Sequence, residues 1–216
     1  MKRRVMKTTV SYPETDVVIL AGGLARRMNG INKLLHKFDD EIQLIKIHQQ
    51  LKSRASKVWV NSHRDHSIYK RMIPSIDFYQ DDEPGFQGPL MGMKSAWSHV
   101  QSDYVLFVPC DVTYIPKKVI SRLHQALQRH PLSEVAVVEI NEKALFPFCL
   151  MKRSSLPTLI QHLEQDQRSL KRCFADMHMQ RASFKNRALF FHSINSFDEL
   201  QPVSYTHLRA HETPEH

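Results

Sequence analysis

Cysteine is scarce in this 216-residue sequence, with Cys110, Cys149 and Cys173 far apart and no C-x-x-C pair. That excludes a disulfide framework and a paired-cysteine zinc site, and the expected compartment is the reducing cytoplasm. No apolar run is long enough to span a bilayer as a helix. The basic start, residues 1–7, is not followed by the apolar stretch of a secretory signal. Internal repeats and heptads are missing, so the chain is read as one domain with a core large enough to need no staple. The aromatic-basic signatures of common nucleic-acid modules are absent too. The net charge of +8 therefore points first to small anionic partners such as nucleotides and phosphorylated cofactors. Neither membrane nor nucleic acid is an expected partner.

What is present is organised around one stretch. Val17-Val18-Ile19-Leu20 is a β-branched apolar run, read as a buried strand. It breaks at Ala21-Gly22-Gly23, and cations follow at Arg26, Arg27 and Lys33. Glycines let backbone N–H groups approach an anion closely, and arginine and lysine neutralise its charge. A plain strand-to-helix turn explains two glycines alone. Glycines with three cations favour a phosphate site. It is not a P-loop, which needs Gly, four residues and Gly-Lys-Ser/Thr. Nor is it the dinucleotide fingerprint, because Gly22, Gly23 and Gly30 have the wrong spacing.

Further strands are expected at 57–61, 76–80, 104–108, 134–140, 145–151 and 189–194. Pro147 would confine the 145–151 strand to an edge or a bulge. Helices are expected at 44–51, 89–99, 116–129, 154–165 and 169–176, with Pro89 and Pro116 as first helical residues and Ser154 and Ser169 as N-caps. Ser196 is read as the cap of a final turn. Strands alternating with helices predict a Rossmann-like three-layer α/β/α fold with a mostly parallel central sheet. Ligands of such sheets sit beyond the C-terminal ends of the strands. Asn61 and Asp111 both follow strands and are placed there. Asp111 is the candidate Mg²⁺ ligand, since Mg²⁺ is held by one or two carboxylates plus substrate phosphates. Cys110 is not read as a nucleophile: no histidine partner is identifiable. Arg168, Lys171 and Arg172 either meet a second substrate's phosphate or form a solvated helix face. His63 and His66 are read as surface residues.

Leu20-Ala21-Gly22-Gly23, Arg26-Arg27-Met28 and Lys33 together resemble the signature loop of nucleotidyltransferases with the nucleotide-diphospho-sugar transferase type fold. Gly88-Pro89-Leu90-Met91-Gly92-Met93 is similar to the Gly-Pro-Leu-x-Gly-Met of the molybdenum cofactor guanylyltransferases. Leu-Ala-Gly-Gly, where the related cytidylyltransferases have Leu-Ala-Ala-Gly, points to guanine. The resemblance implies GMP transfer from GTP to the terminal phosphate of molybdopterin, with release of pyrophosphate. It implies GTP contacts at Leu20, Ala21, Gly22, Gly23, Lys33, Asn61, Asp81 and Asp111, with Asp111 on Mg²⁺. Lys33, Asp111, Arg26 and Arg27 are the expected catalytic groups. Molybdoenzyme maturation proteins are expected partners.

The sequence departs from the family at three places. Asn29-Gly30-Ile31-Asn32-Lys33 replaces Gly-Gly-x-Asp-Lys. Glu41-Ile42-Gln43-Leu44 replaces Gly-Lys-Pro-Leu. Ser193-Ile194-Asn195 replaces Asn-x-Asn. Residues 1–15 are expected as a mobile basic arm, 16–201 as the nucleotidyltransferase domain, and 202–216 as a non-native tail. Two other readings stay open. One is a related nucleotidyltransferase using CTP or a sugar phosphate, and the other is a non-catalytic nucleotide or pterin carrier. A nucleic-acid binder rests on net charge alone.

Overall fold

The computed structural model describes residues 12–22, 32–38, 40–85 and 87–185. Strand β1 (Thr15–Leu20) is buried along its whole length, as its unbroken apolar run requires in a sheet covered on both faces. It pairs in parallel with β4 (Val58–Asn61) on one side and β6 (Tyr104–Pro109) on the other. β5 (Asp77–Tyr79) extends the sheet beyond β4, also in parallel. On the other side lie β8 (Lys143–Lys152), β7 (Val135–Ile140) and β9 (Gln180–Phe184), giving the order β5-β4-β1-β6-β8-β7-β9. Among the described strands of this sheet only β8 runs antiparallel to its neighbours.

Side chains alternate across β1 with the two-residue period of a strand. Val17 and Ile19 join the core formed with α1 (Gln43–Leu51), α2 (His66–Met72) and α4 (Val119–Arg129). Val18 and Leu20 join the opposite core, with α3 (Pro89–Ala96), α5 (Leu156–Glu164) and α6 (Leu170–Asp176). The three-layer α/β/α expectation is met. A short hairpin, β2 (Lys37–Phe38) and β3 (Glu41–Ile42), leads into α1.

Several boundaries differ from expectation. Thr15 is no part of an arm: it opens β1, 1% exposed, and its hydroxyl lies 2.8 Å from His124 Nε2. Tyr12 also packs on the body, its ring stacked on that of His124. Helix α3 ends at Ala96, because the N–H groups of Trp97, Ser98 and His99 turn back to carbonyls three residues earlier. Pro116 forms a lead-in turn, accepting from Val119 N–H, and α4 starts only there. Ser155 rather than Ser154 precedes α5, and its hydroxyl donates to Lys152 O instead of capping. Ser169 does cap α6. Pro147 is not on an edge strand; it falls in the stretch where β8 bulges against β7, between the Val137–Cys149 and Glu139–Ala144 pairs. The β2–β3 hairpin, α2 and β9 were not anticipated. β9 alternates buried Ala182 and Phe184 with exposed Arg181 and Ser183, too few apolar residues to stand out. Residues 189–194, 196 and 202–216 lie outside the described residues, as does most of the basic arm.

Candidate active site

The end of β1 is held from both sides. Ala21 N–H donates to Asn61 O at 2.9 Å, and Cys110 N–H donates to Leu20 O at 3.2 Å. The polypeptide that follows β1 thus lies between the residue ending β4 and the one following β6. Asn61 and Asp111 stand on its two flanks, beyond the C-terminal ends of parallel strands.

On the β4 flank the Asn61 side chain is 97% buried by residue and donates to Asp81 Oδ1 at 2.9 Å. The other carboxylate oxygen of Asp81 meets His63 Nε2 at 3.2 Å. Two glycines make room for this amide. A Cβ on Gly22 would stand 2.7 Å from Asn61 Oδ1, and one on Gly92 would stand 2.5 Å from the same atom. Neither is a contact that real side chains make. The glycine of the Gly-Pro-Leu-x-Gly-Met stretch is needed for space. Gly88, before Pro89, is needed for conformation, with φ 82°. Tyr79 donates its hydroxyl to Gly92 O at 2.7 Å. Burial, with Asp81 and Asp82 nearby, pushes this phenol well above its ordinary range. Asp82 N–H donates to Ser95 Oγ, and Lys94 reaches the Asp82 carboxylate at 2.9 Å. The loop from Asp81 is therefore tied to α3 at several points.

On the β6 flank Lys33 Nζ donates to Asp111 Oδ2 at 3.2 Å, with both side chains partly exposed. Lys33 opens a single 3₁₀ turn, Lys33–Leu35, capped by Asn32, whose Oδ1 accepts from Leu34 N–H. Asn32 also donates to Asp65 Oδ2 at 2.6 Å and to Tyr69 OH at 2.7 Å. Asp65 sits in the left-handed region, φ 63°, just before α2. Tyr69 is buried, which raises its pKa. The Cys110 thiol is pushed up to about 12, first by burial and then by the Asp111 carboxylate. A thiol that stays protonated at neutral pH is no nucleophile, in line with its sequence reading.

The structure brings Lys33 to Asp111, and Gly22 and Asn61 to Asp81, around one strand end. Gly23, Arg26, Arg27 and Ser193 lie outside the described residues. Arg168 lies on neither helix but in the α5–α6 turn, which it braces through Leu163 O and Asp166. His63 and His66 are half-buried, not surface residues. His66 stacks on Phe78 at 4.0 Å and bonds to Ser62 O, while His63 belongs to the Asp81 cluster. Only its spacing after Asn61 at a strand end hinted at that. Among the described residues no three His, Cys, Asp or Glu side chains converge as a metal site.

The MobA-like NTP transferase domain model matches residues 17–182. A molybdenum cofactor guanylyltransferase of Acinetobacter baumannii is 60% identical over 92% of this chain and 94% of its own length. One from Pasteurella multocida is 34% identical over 86% of this chain and 97% of its own. Among solved structures, the molybdopterin-guanine dinucleotide biosynthesis protein A of Archaeoglobus fulgidus superposes with a TM-score of 0.63 at 15% identity. That match covers 85% of this chain and 94% of the other. A CMP:2-keto-3-deoxy-manno-octonic acid synthetase complexed with CTP gives a TM-score of 0.56 at 13% identity, covering 85% and 94%. At such identities the two structures speak for the fold alone.

Proposed function

This chain belongs to the molybdenum cofactor guanylyltransferases of the MobA-like NTP transferase family, and from that premise we propose how it transfers GMP from GTP to the terminal phosphate of molybdopterin. The products are pyrophosphate and molybdopterin guanine dinucleotide. The observation that carries the reading is the convergence of Lys33–Asp111 and Asn61–Asp81 on either side of the strand end at Ala21-Gly22.

The attacking group is a phosphate oxygen, and a phosphomonoester with its second pKa near 6 is largely ionised at neutral pH. No general base is required, and the raised thiol of Cys110 offers no covalent detour. The work left to the protein is to hold two anions in line and to offset their repulsion. Asn61, with Asp81 and His63 behind it, faces the nucleoside end of the site. Leu20, Ala21, Gly22 and Gly23 present backbone to the triphosphate, and Arg26, Arg27 and Lys33 neutralise it and its leaving pyrophosphate.

Asp111 is the residue that would hold Mg²⁺. Its fit rests on the donor set. A single, partly exposed carboxylate stands beside a lysine. Such a site is completed by substrate phosphates and water. When bound there the ion supplies positive charge to the α-phosphate oxygens. Lys33, 3.2 Å from Asp111, places its positive charge beside that carboxylate, where it would attract the phosphate.

The setting we propose is the cytoplasm, with molybdoenzyme maturation proteins receiving the product. None of the described helices is long and apolar enough to cross a membrane. The test is incubation of the protein with GTP, Mg²⁺ and molybdopterin, followed by chromatography for the dinucleotide. CTP and a sugar phosphate serve as competing substrates. Formation of a cytidine product at a higher rate would replace the guanylyl reading.

A further inference from the structure

We propose that Gln43 is a positioning residue that fixes Asp111 relative to Lys33. The inference rests on the reading of Asp111 as the carboxylate that faces metal and phosphate. Gln43 is the first residue of α1 and has no exposed surface. Its amide nitrogen donates to Cys110 O at 3.2 Å and to Val112 O at 2.6 Å, the carbonyls of the two residues that bracket Asp111. Both neighbours are acceptors, so only the NH₂ end of the side chain can face them. The backbone N–H of the same residue donates to His36 O at 3.0 Å. His36 closes the 3₁₀ turn that begins at Lys33. One residue at a helix start therefore grips both segments that carry the Lys33–Asp111 pair.

Packing alone does not explain a glutamine here. Its amide oxygen finds no hydrogen-bond partner among the described residues, which is costly for a buried polar atom. An apolar side chain of the same volume would avoid that cost. The Gln43 side chain is spent on the Asp111 loop.

The experiment compares wild type, Q43M, Q43L and D111A. Mn²⁺ stands in for Mg²⁺ and is titrated by electron paramagnetic resonance in the presence of a GTP analogue with a methylene bridge between the α- and β-phosphates. Melting temperature and steady-state turnover are measured alongside. Two lost hydrogen bonds to the loop predict about a tenfold weaker Mn²⁺ affinity and about a tenfold lower kcat in Q43M and Q43L. Analogue affinity without divalent cation should stay within about twofold, and both variants should remain folded at the assay temperature. Mn²⁺ affinity unchanged in both variants overturns the proposal, as does a loss of turnover that tracks only the unfolded fraction. If D111A binds Mn²⁺ as tightly as wild type, the reading of Asp111 itself fails and this inference falls with it.

Discussion

Replacing Gly92 by alanine sets two effects of known sign against each other. Gly92 lies inside α3, where alanine is favoured over glycine by about 1 kcal/mol. The added methyl, however, would stand 2.5 Å from Asn61 Oδ1, 3.1 Å from its Cγ and 3.2 Å from Leu20 Cδ2. The amide cannot step aside at small cost. Asn61 is buried, its nitrogen is bonded to Asp81, and its oxygen also packs close to Gly22, where an added Cβ would stand 2.7 Å from it. Overpacking of this kind costs about 1–3 kcal/mol. Breaking the Asn61–Asp81 bond and leaving its groups buried adds about 1–3 kcal/mol. The clash wins, with a net loss of roughly 3 kcal/mol, or about 6–12 °C in melting temperature for a domain of this size. Because Asn61 faces the nucleotide in the proposed site, KM for GTP should rise by about tenfold or more.

The double-mutant cycle decides whether that reasoning is right. In an Asn61→Ala background the obstructing oxygen is gone. Gly92→Ala should then be neutral or stabilising, because only helix propensity and the yielding end of Leu20 remain. Thermal melts of the four proteins check this, with GTP titrations beside them. A destabilisation by Gly92→Ala that is the same in both backgrounds would refute the claim that Asn61 is what the glycine accommodates.

Asp111→Ala should abolish turnover while leaving the melting temperature within a few degrees, and retained activity removes it from the mechanism. Lys33→Ala should lower the rate by ~10²-fold, the usual effect of losing one charge-stabilising donor, as read by pyrophosphate release. Asn32→Asp should destabilise, because the new carboxylate meets Asp65 where the amide now donates at 2.6 Å. The loss should deepen as pH rises, since like charges raise the pKa of one partner and its protonated form, stable at low pH, is lost through that folded pKa. Melting temperature against pH for both proteins shows this. His124 predicts the opposite slope: burial lowers its pKa from 6.5 to about 4. Between those values the unfolded chain binds the extra proton, so stability is full above pH 6.5 and falls by at most roughly 3 kcal/mol as pH drops to 4. His124→Gln should flatten that part of the profile.

Much of the fold could be read because its strands are buried on both faces. Val17 to Leu20 and Val105 to Val108 are almost fully buried, so their apolar runs are unbroken and need no partner to be recognised. The elements that escaped notice are those whose order depends on neighbours. β9 is held by pairing with β7; its own two buried side chains do not announce it. Pro147 could be tied to a strand defect but not to a place in the sheet. An irregular stretch is as acceptable between two strands that lose register as on an open edge.

The site divides along the same line. Gly22, Lys33, Asn61 and Asp111 stood out because a strand end plus a glycine, a cation or a carboxylate is a local pattern. Their supports did not, because each is a pairing across many residues. Asn32 looked like a lost charge, yet its amide nitrogen donates to both Asp65 and Tyr69, and a carboxylate in its place would face another carboxylate. Gln43 looked like a lost loop motif, yet its side chain holds the two carbonyls around Asp111. In both cases the departure and its partner sit more than thirty residues apart in sequence but within hydrogen-bond distance in space. A single residue that breaks a family pattern is therefore poor evidence of lost activity until the group it contacts is known. Restoring the usual residue on its own, as Asn32→Asp does, is expected to harm this chain for the same reason.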